Sequence, residues 1–426
     1  MTQRLAGPAI LSNKHSELRA IGRVTCTTRP DQPQRETSVF LLLAGDEVSG
    51  LPRLVNSPFV DFSSHQFEFE SFACYTSFSS LKKLEKLDLT NNYFNTNIFS
   101  SFSQFKSLKT LIMPYNDLKG SFPINGSKGL LSLKKLEILD LNNNLLSSSI
   151  LSSLTAVTSL RTLILSNNNM EGSFPIQELI KLKNLEMLDL SGNRFNASIQ
   201  GFAGSGSLNK LLVLDLSNNR FSNSAFLLLS AISSLKTLIL SNNKIEGSLP
   251  IQEFTRFQDL ELLDLSDNKF NGSIQGRGKH LIGKIGDKLT NITHLELLDI
   301  SNNNISGGIP DWIGNISSLT SISMSKNLLK GSIPDQLCSL KNPKVLDLSE
   351  NRFSGSLSCL LNISSLRFLY LQRNGLSGLL SNALLSESSR LSTLDLRENK
   401  LSGSIPPWIN TLSKLRILLL AGNHLE

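Results

Sequence analysis

Leucine and a few other aliphatic residues recur through most of this 426-residue chain in a fixed frame, L-x-x-L-x-L-x-x-N-x-[LFIM]-x-G-x-[IFL]-P. The stretch Leu160–Pro175 (LRTLILSNNNMEGSFP) shows the whole frame, which returns at Leu235–Pro250, Leu295–Pro310 and Leu391–Pro406. Its L-x-L centre alternates with period two, which predicts a short strand with one buried face. The Asn that follows can bond, through its side-chain amide, turn backbone that no sheet reaches. The Gly tolerates backbone angles closed to branched residues, and the Pro ends hydrogen-bonded structure. One copy cannot bury its own leucines, but a stack of copies can.

The anchor asparagines are Asn92, Asn116, Asn144, Asn168, Asn193, Asn219, Asn243, Asn268, Asn303, Asn327, Asn351, Asn374, Asn399 and Asn423, mostly 23 to 26 residues apart. A helix bundle would space its apolar residues by 3.6 and supply no Asn or Gly at fixed offsets. The expected fold class is an α/β solenoid of leucine-rich repeats, each a strand, a turn and an irregular or short helical return. Residues 76–426 form the repeat domain, with about fourteen repeats, and residues 1–75 are a poorly defined N-terminal region.

Irregularities mark the rest. Leu160–Gly201 and Leu235–Gly276 share TLILSNN, EGS and PIQE, so three repeats look duplicated as a unit. The 35-residue step from Asn268 to Asn303 contains KHLIGKIG (Lys279–Gly286), which fits the second half of a repeat. This predicts a repeat that lost its strand, a bulge near 272–286, and a sheet that loses one strand or breaks there. The first 35 residues are rich in Arg, Ser and Thr, a composition shared by transit peptides and by disordered starts. Ser38–Asn56 is expected to form a hairpin or half-repeat that caps the first coil. The chain stops in mid-repeat at NHLE, which leads to the expectation of a fragment or a truncated product.

Composition changes this picture little. A net charge of +7 over 426 residues, with no run of five like charges, is no nucleic-acid signal. No apolar run reaches the length of a membrane span. The longest near the N-terminus, Val39–Ala44, is too short for a secretory signal. The five histidines fall in no metal-ligand or triad spacing, and the glycines form no phosphate loop, so neither enzyme chemistry nor a cofactor is expected.

The column between the two strand leucines reads Asp88, Ile112, Asp140, Ile164, Asp189, Asp215, Ile239, Asp264, Asp299, Ser323, Asp347, Tyr370, Asp395 and Leu419. It alternates with the buried leucines and so faces the concave side. The aspartates are expected to bond local backbone, since carboxylates on neighbouring strands repel and a metal needs convergent oxygens. Ligand specificity is expected where the frame breaks: Phe368, Tyr370, Gln372 and Arg373 on one strand, with Arg397, Lys326, Glu350 and Glu398 nearby. Aromatic residues with Arg are the composition of an interaction hot spot. Tyr115 is a second, isolated candidate. Sequons stand at Asn125, Asn196, Asn271, Asn291, Asn304, Asn315 and Asn362, of which Asn304 directly follows an anchor and is expected to be crowded. Cys338 and Cys359, 21 residues apart on adjacent repeats, are a candidate disulfide pair, and Cys26 with Cys74 is a second candidate.

Phrases such as LRTLILSNNNMEGSFP and LRFLYLQRNGLSG, over residues 84–426, resemble the plant-type repeats of receptor-like protein ectodomains. Arg23-Val24-Thr25-Cys26 resembles part of that family's N-terminal cap. The resemblance implies a curved superhelix with a parallel β-sheet on its concave face, and a secreted, glycosylated ectodomain held at the plasma membrane by a separate helix. It also implies an extracellular peptide or protein ligand, leucine-rich-repeat receptor kinases as co-receptors, and a role in immune or developmental signalling. Against the family pattern, the expectation from this sequence is a departure at four points: the signal peptide, the paired-cysteine cap with its tryptophan, the later repeats with their island, and the membrane helix. Two other readings stay open: a secreted inhibitor of microbial cell-wall hydrolases, and a non-functional truncated product.

Overall fold

In a computed structural model of the chain, the described residues are 21–24, 39–42, 58–64, 81–122, 129–196, 208–223, 225–226, 232–250, 254, 257–274, 294–357, 359–380 and 390–426. They divide into two units, residues 1–117 with 123–136, and residues 118–122 with 137–426.

In the first unit, Phe59–Asp61, Lys86–Asp88 and Thr110–Ile112 pair in parallel register. Leu87 and Leu111 point into the core, and the residues on either side of each face outward. A 3-10 helix, Thr96–Gln104, forms the return and is capped by Asn95, whose Oδ1 accepts from the Asn97 N–H at 3.0 Å. Phe94, Phe99, Phe102 and Phe105 fill its underside, with Phe99 and Phe102 edge to face at 5.5 Å. The strand Phe59–Asp61 lies inside the stretch that the frame leaves out. Val-Asp-Phe there plays the part of Leu-Asp-Leu: Val60 and Phe62 are buried, and Asp61 accepts from the Ser63 N–H at 2.8 Å. Val39–Leu42, within the expected cap, pairs antiparallel with Ile21–Val24; residues 43–57 lie outside the described residues.

In the second unit a wide parallel sheet runs from Ile138–Asp140 to Ile417–Leu419, one strand per coil. Narrower parallel ladders follow the turns, such as that running from Glu246–Gly247 to His424–Leu425. The leucines between the two are almost without exposure, Leu163, Leu188 and Leu214 among them. Side-chain burial of this kind, repeated coil after coil, is the main stabilising term.

Every anchor Asn closes a turn. Asn327, for example, donates to the carbonyls of Met324 (3.2 Å) and Ile300 (3.0 Å), while its Oδ1 accepts from the Ile305 N–H at 3.0 Å. Its amide therefore joins its own coil to the one before. The residue preceding the anchor is left-handed throughout, as at Asn143 (φ 51°), Asn242 (φ 52°) and Asn302 (φ 50°). Asn tolerates that region better than most residues, which accounts for the recurring Asn-Asn.

The long step does not break the sheet. Leu262–Asp264 pairs directly with Leu297–Asp299, and Asn271 pairs with Asn304 on the narrow side. The extra length falls within the return, where residues 275–293 lie outside the described residues. Among the described residues no helix is long and apolar enough to cross a membrane.

Candidate functional site

The strand Phe368–Tyr370 buries Leu369 in the core and turns Phe368 and Tyr370 to the solvent face of the wide sheet. Its neighbours set the surroundings. Phe368 stands between Val345 and Thr393, and Tyr370 between Asp347 and Asp395. Thr393 and Asp395 are 6% and 2% exposed, so the aromatic rung rises beside a sunken polar one. Burial raises the Tyr370 phenol above its ordinary pKa, and the carboxylates of Asp347 and Asp395 add to the shift; a hydrogen bond with Thr393 opposes it. The phenol is therefore a neutral, partly buried group at physiological pH.

The arginines expected to accompany these aromatics are engaged elsewhere. Arg373 occupies the left-handed turn position (φ 57°). Its Nε donates to Glu398 at 3.1 Å, and its Nη1 lies 3.7 Å from Glu350. Arg397 clamps Asp395 through Nη2 at 2.6 Å and Nε at 3.0 Å. Gln372 Oε1 is buried without a partner among the described residues, so that oxygen is not offered to solvent. Phe368 and Tyr370 thus share one face, whereas Arg373 and Arg397 form a self-neutralised edge at its downstream end with Glu350 and Glu398. Lys326 holds the same left-handed position two coils before Arg373, exposed. Tyr115, 59% exposed, holds that position in the other unit, at the turn and off the strand face.

The upstream end of the same strands carries charge that the repeat frame does not mark. Thr320, Lys344, Arg367, Ser392 and Arg416 are successive rungs joined by backbone hydrogen bonds, including Arg367 N–H to the Lys344 carbonyl at 2.9 Å. Lys344, Arg367 and Arg416 are exposed. The signal was available in the residue just before each strand, which pairs opposite charges in earlier repeats and turns basic here.

The aspartates do bond local backbone. Oδ1 of Asp189, Asp215, Asp264 and Asp299 each accepts the N–H two residues on, at 2.9 Å. Burial, then the neighbouring Asp189, pushes Asp215 up to about 6. Burial also pushes Asp299 up to about 6, against hydrogen bonds from Ser301 and with a small contribution from Asp264.

Cys338 and Cys359 form a disulfide, with Cα atoms 5.9 Å apart. Cys26 and Cys74 lie outside the described residues. The sequon residues Asn196, Asn271, Asn304, Asn315 and Asn362 are exposed, Asn304 included, because its side chain leaves the turn on the opposite side from buried Asn303. Asn125 and Asn291 lie outside the described residues.

Comparison with known proteins agrees with this geometry. Leucine-rich-repeat families match residues 83–105, 135–156, 158–204, 234–255, 293–353 and 390–412. The fold is that of a leucine-rich-repeat solenoid, and the sequence is similar to plant receptor-like proteins. It is 36% identical over 162 residues to Receptor like protein 21 of Arabidopsis thaliana, covering 37% of this chain and 16% of that protein. It is 52% identical over 81 residues to Receptor-like protein 9a of the same plant, covering 19% of this chain and 9% of that protein. The matches thus span less than a fifth of those relatives' length. Among solved structures, a plant peptide hormone receptor (RGFR1 in complex with RGF2) aligns with a TM-score of 0.62 at 28% identity, over 82% of this chain and 52% of that one. PEPR1 with AtPEP1 aligns with a TM-score of 0.58 at 28% identity, over 87% and 56%.

Proposed function

We propose that the chain is a binding scaffold that takes an extracellular peptide or protein on the solvent face of its wide sheet, centred on Phe368 and Tyr370. The observation that carries this is the aromatic rung itself. Two partly buried rings stand side by side on one strand, beside a sunken rung, where the neighbouring strands of the unit present Val345, Asp347, Thr393 and Asp395. Rigid aromatics that lose little entropy on contact are typical interface anchors. The solved relatives include a receptor holding a peptide hormone, which supports the ligand class.

By the same resemblance, the protein containing these repeats acts at the plant cell surface, carries glycans on exposed sequons, and works with leucine-rich-repeat receptor kinases in immune or developmental signalling. The chemistry is recognition rather than catalysis.

The test is selection from a random peptide library on the immobilised chain. Selected peptides should bind about thirtyfold more weakly to the Phe368→Ala/Tyr370→Ala variant. Failure to enrich any peptide, or equal affinity for the variant, contradicts the proposal.

A further inference from the structure

Resting on that reading of the sheet as a ligand face, we propose that Lys344 and Arg367 form an anion-docking edge for the carboxylates of an acidic peptide segment.

At the frame position just before each strand, three cations of earlier repeats hold a carboxylate one coil away. Lys109 holds Glu85 at 3.0 Å, Arg161 holds Glu186 at 2.8 Å, and Lys236 holds Glu261 at 2.7 Å. Lys344 and Arg367 break the alternation. They are consecutive rungs, flanked by uncharged Thr320 and Ser392, and neither has an ion pair among the described residues. Glu261 and Glu296 are also consecutive, but Lys236 neutralises Glu261. Adjacent rungs lie about 4.8 Å apart, and like charges directly opposite one another destabilise a sheet. A carboxylate lodged between the two would relieve that repulsion.

Position ties the pair to the aromatic rung. Lys344 immediately precedes Val345, and Arg367 precedes Phe368. At the downstream end, Arg373 and Arg397 are already matched by Glu350, Glu398 and Asp395. Among the described residues of this strand and its two neighbours, the cations without an ion pair stand at the upstream end, which orients a ligand with its acidic part upstream and its apolar part over Phe368. The comb of cations is also short, interrupted by Thr320 and Ser392. Two or three carboxylates satisfy it. An extended peptide presents alternate side chains on one side about 7 Å apart, which suits such a pair better than the long uniform track a polyuronate needs.

The test measures binding of fluorescein-labelled hexaglutamate at low salt by anisotropy. The Lys344→Glu/Arg367→Glu variant is compared with Lys330→Glu/Arg352→Glu, which reverses two exposed, register-paired cations of a narrow sheet and changes net charge equally. Affinity should fall at least about tenfold in the first variant and stay within about twofold in the second. Equal losses mean general charge attraction and overturn the proposal, as does no binding by the unaltered chain. Tighter binding of an oligogalacturonate of equal charge overturns the peptide assignment. Should the double reversal fail to fold, Lys344→Gln/Arg367→Gln is judged by the same criteria. Library peptides that require Phe368 and Tyr370 yet ignore the Lys344→Glu/Arg367→Glu change would sink this proposal while leaving the scaffold reading intact.

Discussion

Asn303 donates from its side-chain amide to the carbonyl of Leu265, thirty-eight residues earlier, at 3.1 Å. The same amide bonds the Ile300 carbonyl at 3.2 Å, and its Oδ1 accepts from the Phe270 N–H at 3.0 Å. One side chain therefore keeps the two coils in register across the longest step in the chain. Asn303→Ala should cost about 3 kcal/mol or more, because it leaves buried backbone groups without partners. Exposed Asn304→Ala should change stability by less than about 0.5 kcal/mol. Urea unfolding of the two variants checks this; equal effects would remove the ladder from the account.

The Cys338–Cys359 bridge closes a 21-residue separation between adjacent coils. Replacing both cysteines with Ala should destabilise by about 2–4 kcal/mol. A reductant should lower the unfolding temperature of the unaltered chain and leave that of the variant unmoved.

Asp215 and Asp299, each pushed up to about 6 by burial, reverse the usual sign of carboxylate linkage. Between the ordinary value near 4 and about 6, the folded chain holds protons that the unfolded chain has released, so stability falls as pH rises through this window. Asp215→Asn with Asp299→Asn should flatten that slope, by an amount on the order of 1–3 kcal/mol per site. Denaturation midpoints between pH 4 and 7 read it directly. An unchanged slope would mean that these aspartates ionise normally.

Lys344→Glu places an anion beside Arg367 and restores the alternation seen at Arg161 and Glu186. Stability should rise by about 0.2–1 kcal/mol while hexaglutamate binding weakens. A loss of stability would show that Lys344 serves the fold.

The sheet, the anchor ladder and the aspartate turns were legible because one frame repeats them, so chance matches cancel. The start of the sheet was less so: Val60-Asp61-Phe62 meets the same steric demand with residues outside the leucine consensus. At the long step, Lys279–Gly286 suggested a half-repeat without a strand of its own, and Leu262–Asp264 pairs directly with Leu297–Asp299, so of the two expected consequences the break in the sheet does not occur. Chain length between strands does not determine which strands meet. For the site, residue type pointed to Phe368 and Tyr370, which share a face, and equally to Arg373 and Arg397. Only pairing geometry reveals that Glu350, Glu398 and Asp395 neutralise those two arginines, and that the unmatched cations lie at the other end of the strand.

The most direct measurement is photo-crosslinking of a library-selected peptide carrying a benzophenone, with the attachment sites mapped by mass spectrometry. Attachment to wide-sheet residues around Val345–Asp347, Phe368–Tyr370 and Thr393–Asp395 is the predicted result. Attachment confined to the narrow-sheet strands Leu328–Gly331 and Arg352–Gly355 would contradict it.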